Sequence, residues 1–283
     1  MTYTQIEHLA NTIRQDVVRM LESANSGHSA GPLGMADVFA ALYFSILRHD
    51  PKNPDWSERD ICVVSNGHIA PVLYAVLARS GYFSTDRLKT LRKYGSSLQG
   101  HPERTKLPGV EVTSGPLGSG LSQAAGMAYV LQQLEHNSSR WIYVTLGDGE
   151  CNEGNVWEGA MLSAKYKLAN LVAIIDRNNI QISGSTEETM PLEDFRGKWE
   201  SFGWHVQEID GNNVESIVDA CAMARAVTNR PSVIIAHTIP GKGVDFMEYD
   251  YKWHGMVPSS AQAKTAIKKL RTLDGRISDS ATS

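Results

Sequence analysis

The stretch that decides the reading runs from Gly147 to Asn179: GDGECNEGNVWEGAMLSAKYKLANLVAIIDRNN. An acidic glycine turn, Gly147-Asp148-Gly149, follows directly on the apolar run Trp141–Leu146, and Asn178-Asn179 follows closely on a second apolar run, Leu171–Ile175. Both runs are rich in Val, Ile and Leu and read as buried parallel strands. Between them, Trp157, Met161, Ala164 and Leu168 recur at helical spacing. A strand–helix–strand unit brings the C-terminal ends of its two strands to one edge of a sheet, the edge where open α/β sheets bind ligands. Asp148 and Asn178 are therefore expected to converge although about thirty positions separate them. One carboxylate, one amide oxygen and a nearby backbone carbonyl suit a hard divalent cation, Mg²⁺ or Ca²⁺, with phosphate oxygens of a ligand completing the shell. Taken singly, Asp148 reads equally as a turn former or helix cap, and Asn178-Asn179 as a plain turn. The pairing after two strands is what favours the ligand reading.

Outward from this unit the same pattern repeats. An amphipathic helix over Ile6–Ser23 leads to the turn-rich segment Ser26–Gly34, which carries His28, and then to a helix from Met35 to about Leu47. A strand at Ile61–Val64 ends in Ser65-Asn-Gly-His68, and a helix starts near Pro71. Ser84–Tyr94 reads as a helix, Gly100-His101-Pro-Glu103 as a loop, and Thr113–Gly120 as the entry to a small-residue helix over Leu121–Leu134. Past the central unit come a polar loop over Gly184–Met190, a helix over Leu192–Phe202, a strand at His205–Ile209, a helix over Val214–Val227 and a strand at Ser232–Ala236. Alternating strands and helices with no internal repeat imply a single doubly wound α/β domain, a mainly parallel sheet with helices on both faces, over residues 1–273. The polar stretch 274–283 reads as a flexible tail.

Composition narrows the partners. A net charge of −4 without a basic stripe argues against nucleic acid. With no run near eighteen apolar residues and no secretory leader, a membrane is not expected, and three widely spaced cysteines suit a reducing, cytoplasmic setting rather than zinc or disulfides. Thr238–Gly243 has Gly243 where a phosphate-binding nucleotide loop needs Ser or Thr, and Gly115–Gly120 lacks dinucleotide spacing. Of nine histidines, His28, His68, His101 and His254 stand beside glycine in loops after successive elements. A lone loop histidine is ordinarily just solvated; four on one sheet edge make a pocket able to bind hydroxyls or phosphate and to move protons near neutrality. Glu153 and Glu158 read either as functional carboxylates or as charges that stabilise a helix N-terminus.

These motifs, Ser26-Gly-His28 with Gly34–Asp37, Ser65–His68, Gly100-His101-Pro, Thr113–Gly118, the GDG–NN pair and Trp253-His254-Gly255, stand in an order that resembles transketolases, from about residue 10 to 260. The resemblance implies a thiamine diphosphate-binding fold and transfer of a two-carbon ketol unit from a ketose to an aldose. It implies metal binding by Asp148, Asn178 and the carbonyl of Ile180, and cofactor binding by His68, Gly115, Pro116, Leu117, Gly149, Glu153, Asn178 and His254. It makes His28, His101 and His254 the sugar-facing, proton-moving groups, with Glu153 and Glu158 at the interface between two active sites. A full-length transketolase continues into a domain that binds the pyrimidine and supplies the activating glutamate. The resemblance therefore implies the N-terminal subunit of a split enzyme, active with a separate pyrimidine-binding subunit in an α2β2 assembly on a sugar phosphate or related anionic sugar. The α-subunit of a 2-oxo acid dehydrogenase, half of a deoxyxylulose-phosphate synthase and a non-catalytic homologue are the other readings.

Overall fold

Among the residues described by the computed structural model, 1–136 and 139–280, five parallel strands form one sheet: β1 (Ile61–Val64), β2 (Ile142–Gly147), β3 (Leu171–Arg177), β6 (His205–Asp210) and β7 (Ser232–His237), in the order β1-β2-β3-β7-β6. Alternation along each strand feeds two cores. Val172 and Ile174 pack into the layer of α1 (Tyr3–Ala24), α3 (Ala36–Ala41), α4 (Ala70–Ser80), α9 (Val214–Ala226) and α10 (Ser260–Ser280). Leu171, Ala173 and Ile175 pack into the opposite layer of α5 (Ser119–Tyr129), α6 (Gly154–Lys165) and α8 (Phe195–Ser201). A sheet covered on both faces needs apolar side chains on both, which is why its inner strands read as continuous apolar runs.

Local chemistry sets the boundaries. Thr2 and Gln5 form a capping box at the start of α1, and Asn25 closes it in the left-handed region with φ of 48°. The register places Gly147 opposite Asp176, so β2 and β3 end side by side. The chain then makes a two-residue hairpin, β4 (Ile180–Gln181) against β5 (Gly184–Ser185), and a single turn of helix, α7 (Thr186–Thr189), capped by Ser185 with Glu188 in a second capping box.

Several expectations need correcting. Ser84–Tyr94 holds only a 3₁₀ segment, Thr85–Thr90, with Leu88 and, just past it, Leu91 as its buried anchors. The Gly184–Met190 loop is the hairpin and capped turn just described. Ser26–Gly34 contains a short helix, α2 (Ala30–Gly34), packed so tightly that all five residues are buried. In α6 the buried face is Val156, Gly159, Ala160 and Ser163: the helix meets α5 through small residues, so Met161, 56 % exposed, and Leu162 face outward, while Trp157 packs to the side on Trp199 and Phe202. Residues 274–280, read as tail, continue α10, which docks on α1 through Ala263, Ala266 and Leu270; 281–283 lie outside the described residues. Among the described residues no helix is long and apolar enough to cross a membrane.

Candidate active site

The C-terminal edge of the sheet opens into a cavity of about 510 Å³ lined by His28, His68, His101, His254, Gly115, Leu117, Asp148, Gly149, Asn178 and Ile180, with Glu150 and the β4–β5 hairpin closing it. Each predicted group arrives on its own element. His68 sits in the 3₁₀ turn after β1, Asp148 in the turn after β2, Asn178 after β3, and His254 in a 3₁₀ turn, Tyr251–His254, beyond β7. His28 enters from the loop before α2. Pro116 and Glu153 are the two predicted site residues off the lining: Pro116 turns its carbonyl to the Ser119 hydroxyl, and Glu153 stands exposed at the start of α6. Glu158 is likewise exposed, on the outer face of α6.

The end of the cavity carrying the predicted metal donors is built by mutual restraint. The Asp148 carboxylate is buried, one oxygen accepting from Gly149 N at 2.7 Å, the other from Asn179 N at 2.9 Å, Arg177 at 3.0 Å and the Thr186 hydroxyl at 3.2 Å. Asn178 donates its amide to Asp176 at 2.8 Å, which turns its oxygen toward Ile180 N, 3.0 Å away. Asp176 itself takes a short hydrogen bond from Thr238. Burial pushes the Asp176 carboxyl up to about 7, with the Asp148 charge adding and the Thr238 and Asn178 bonds opposing. Burial likewise raises Asp148, and Arg177 draws it back. Among the described residues no three His, Cys, Asp or Glu side chains gather as a metal cage. The donors present are a carboxylate, an amide oxygen and a main-chain carbonyl. That set fits Mg²⁺ or Ca²⁺ sharing its shell with ligand oxygens, and does not fit zinc.

The opposite wall is imidazole. His28 lies 5.3 Å from His68, 5.6 Å from His254 and 6.2 Å from His101 between ring centroids, and His68 stacks on His254 at 4.9 Å. Burial lowers all four from the usual histidine range, His28 to about 4, with neighbouring imidazoles and Arg92 adding to its shift. Near neutrality the wall is uncharged, with each ring offering a donor and an acceptor. Among the described residues His28 Nδ1 is buried without a hydrogen-bond partner, and a Cβ at Gly115 would meet nothing within 4 Å, so the floor there is open. Cavity, cation donors and open glycine floor together fit a diphosphate-bearing cofactor.

Fold and site define a class. The chain belongs to the transketolase family: its thiamine diphosphate-binding domain model matches residues 6–275. The chain is 42 % identical over 265 residues to the 6-deoxy-6-sulfo-D-fructose transketolase subunit SqwG of Clostridium sp., covering 94 % of this chain and 96 % of that one. It is 42 % identical over 257 residues to a subunit of the apulose-4-phosphate transketolase of Phocaeicola vulgatus, covering 91 % and 90 %. The transketolase of Leishmania mexicana superposes with a TM-score of 0.87 at 32 % identity over 97 % of this chain, but this chain spans only 45 % of that one. Family membership favours the transketolase reading over a 2-oxo acid dehydrogenase subunit.

Sequence reasoning missed four contributors: Arg177, Thr186, Asp176 and Glu150. Arg177 sits inside the quoted stretch, and a cation beside two asparagines was a usable signal. Glu150 was equally in view, but two of its three partners, Gly118 N and the Ser65 hydroxyl, come from loops more than 30 positions away.

Proposed function

We propose that this chain is the thiamine diphosphate-binding subunit of a two-chain transketolase, one diphosphate-binding domain over residues 1–273 that acts with a separate pyrimidine-binding subunit in an α2β2 assembly. The observation that carries the reading is the juxtaposition, in one cavity, of the Asp148–Asn178–Ile180 donor set with a wall of four uncharged histidines. Near-full-length similarity to proteins named as transketolase subunits supports the two-chain architecture. Three unpaired, buried cysteines accord with a cytoplasmic setting.

When bound, the cofactor supplies a carbon nucleophile that takes up the ketol unit and stores its electrons. The residues of this chain do the rest. Asp148, Asn178 and the Ile180 carbonyl hold the divalent cation, and His68, Gly149 and His254 hold the diphosphate. The Gly115–Leu117 segment lies against the aminopyrimidine, with Gly115 and Leu117 lining the surface and Pro116 set behind it. His28, His101 and His254 orient sugar hydroxyls and exchange protons with them, which uncharged imidazoles do at both ring nitrogens. Glu153 and Glu158, exposed here, face a neighbouring subunit. Substrates are a ketose donor and an aldose acceptor bearing phosphate or a related anion.

With Mg²⁺, thiamine diphosphate, a ketose phosphate and an aldose acceptor, the purified chain is expected to show no turnover. Adding a pyrimidine-binding transketolase subunit is expected to bring activity up, and a 2-oxo acid is not expected to serve as donor. Turnover by the chain alone overturns the two-subunit reading.

A further inference from the structure

Glu150 is a buried carboxylate, 3 % exposed, at the edge of the cavity. Among the described residues it forms no ion pair; its partners are three neutral donors from three parts of the chain. One oxygen accepts Gly118 N at 2.7 Å and a short bond from the Ser65 hydroxyl; the other accepts Gly147 N at 3.0 Å. Ser65 passes the linkage on, since its hydroxyl oxygen accepts Gly120 N at 3.0 Å. The loop after β1, the Gly115–Gly120 segment and the end of β2 thus meet on one side chain and its serine partner. The other ties on the middle segment are slighter. Asn155 reaches the Leu117 carbonyl at 3.3 Å, and a Cβ on Gly120 would overlap Ser65, so the segment's contact with the loop after β1 is backbone against side chain.

The choice of carboxylate follows from this convergence. Ionised carboxylate oxygens only accept, whereas an amide in their place would set its NH₂ against one of the three donors. Removing the acceptor leaves buried donors unpaired, which is more damaging than the loss of the bond itself.

We infer that Glu150 is a positioning residue: it clamps the Gly115–Leu117 wall to the Gly147–Gly149 turn, holding the two ends of the cofactor site at a fixed separation. The inference rests on the functional reading above for what those two ends hold, but the clamp itself is a property of the free chain. It separates recognition of the cofactor's phosphate end, which needs only the turn and the cation donors, from recognition of the whole molecule, which needs the wall in register.

The test compares wild type with Glu150→Gln and the milder Ser65→Ala. Hydrogen exchange of the ligand-free chain reads the clamp directly, because the Gly118 and Gly120 amides are the bonded groups. Exchange over residues 113–120 is expected to speed up about tenfold in Glu150→Gln and by less in Ser65→Ala, with the peptides of β3 and of β2 ahead of Gly147, whose amide also bonds Glu150, unchanged. Calorimetric titration then gives Kd for magnesium thiamine diphosphate and for magnesium pyrophosphate. The first is expected to weaken about tenfold in Glu150→Gln, the second to stay within about twofold. Unchanged exchange over 113–120, or equal weakening of both ligands, overturns the inference. If Glu150→Gln does not fold, Ser65→Ala decides on the same readouts. Failure of the wild-type chain to bind thiamine diphosphate would count against the functional reading, while the exchange comparison would still decide the clamp.

Discussion

At the scale of single residues, burial and its neighbours lower the His28 imidazole to about 4. An unfolded histidine titrates near 6.5. Above that pH both states are neutral and His28 contributes nothing to the pH dependence. As the pH falls from about 6.5 to about 4, the unfolded state takes the proton first and stability is lost. Asp176, raised to about 7, works in the opposite sense: from pH 7 downward the folded state holds the extra proton and gains stability. The informative quantity is therefore a difference. His28→Asn is expected to retain more of its pH 7 Tm between pH 6.5 and 4 than wild type does, and parallel profiles for the two proteins would contradict the assignment. The same scale shows where reading the sequence stopped. His28, His68, His101 and His254 were legible because glycine punctuates each of their loops. Their mutual distances, and hence their loss of charge, depend on how four separate elements pack.

At the scale of elements, the turn into α5 is where backbone conformation is most demanding. Gly118 has φ of +79°, and a Cβ there would overlap the Asn155 amide oxygen. Gly118→Ala is expected to destabilise the chain by about 1–2 kcal/mol from the left-handed backbone alone, more with the overlap, read as a lower urea midpoint. Gly126, in the body of α5, is the matched control, because a methyl group added there meets nothing within 4 Å. At that position Gly→Ala is expected to raise stability by about 0.5–1 kcal/mol. If both substitutions shifted the midpoint in the same direction, conformation would not be the deciding term. Strands and the turns after them were readable here because Val and Ile runs end abruptly in Gly, Asn or His. α10 was not, because its buried face is Ala263, Ala266 and Leu270, too sparse and small to stand out from a polar background. The outward face of α6 was misread for the converse reason: Met161 is large and apolar, but Gly159 and Ala160 are what fit against α5.

At the scale of the whole molecule, the turns after β1, β2 and β3 deliver His68, Asp148 and Asn178 to one edge of the sheet, so a ligand bound there would be coupled to global stability. Mg²⁺ with thiamine diphosphate at a hundred times its Kd is expected to stabilise the folded chain by about 2.7 kcal/mol. A chelator is expected to remove most of that shift, and Asp148→Ala to abolish the response to magnesium while leaving a foldable protein. A Tm that ignores both cation and cofactor would show that the donor set does not work as a site. The doubly wound architecture, with a helical layer on each face, was legible from the alternation of elements alone; which residues feed which layer was not, since that depends on the strand face each one occupies.

One consequence of the cation end reaches beyond binding. Arg177 links Asp148 to Glu187 and also lies over the Phe195 ring, 5.8 Å from its centroid, and Phe195 packs on Trp199 and Trp157, which lie 5.1 Å apart, with Trp204 behind. A divalent ion at Asp148 would compete with that guanidinium for the carboxylate oxygen it holds and would alter the field felt by the clustered, mutually inclined indoles. If magnesium binds there, ultraviolet emission is expected to change on its addition before any substrate is present, with no label attached; emission indifferent to magnesium would contradict that placement.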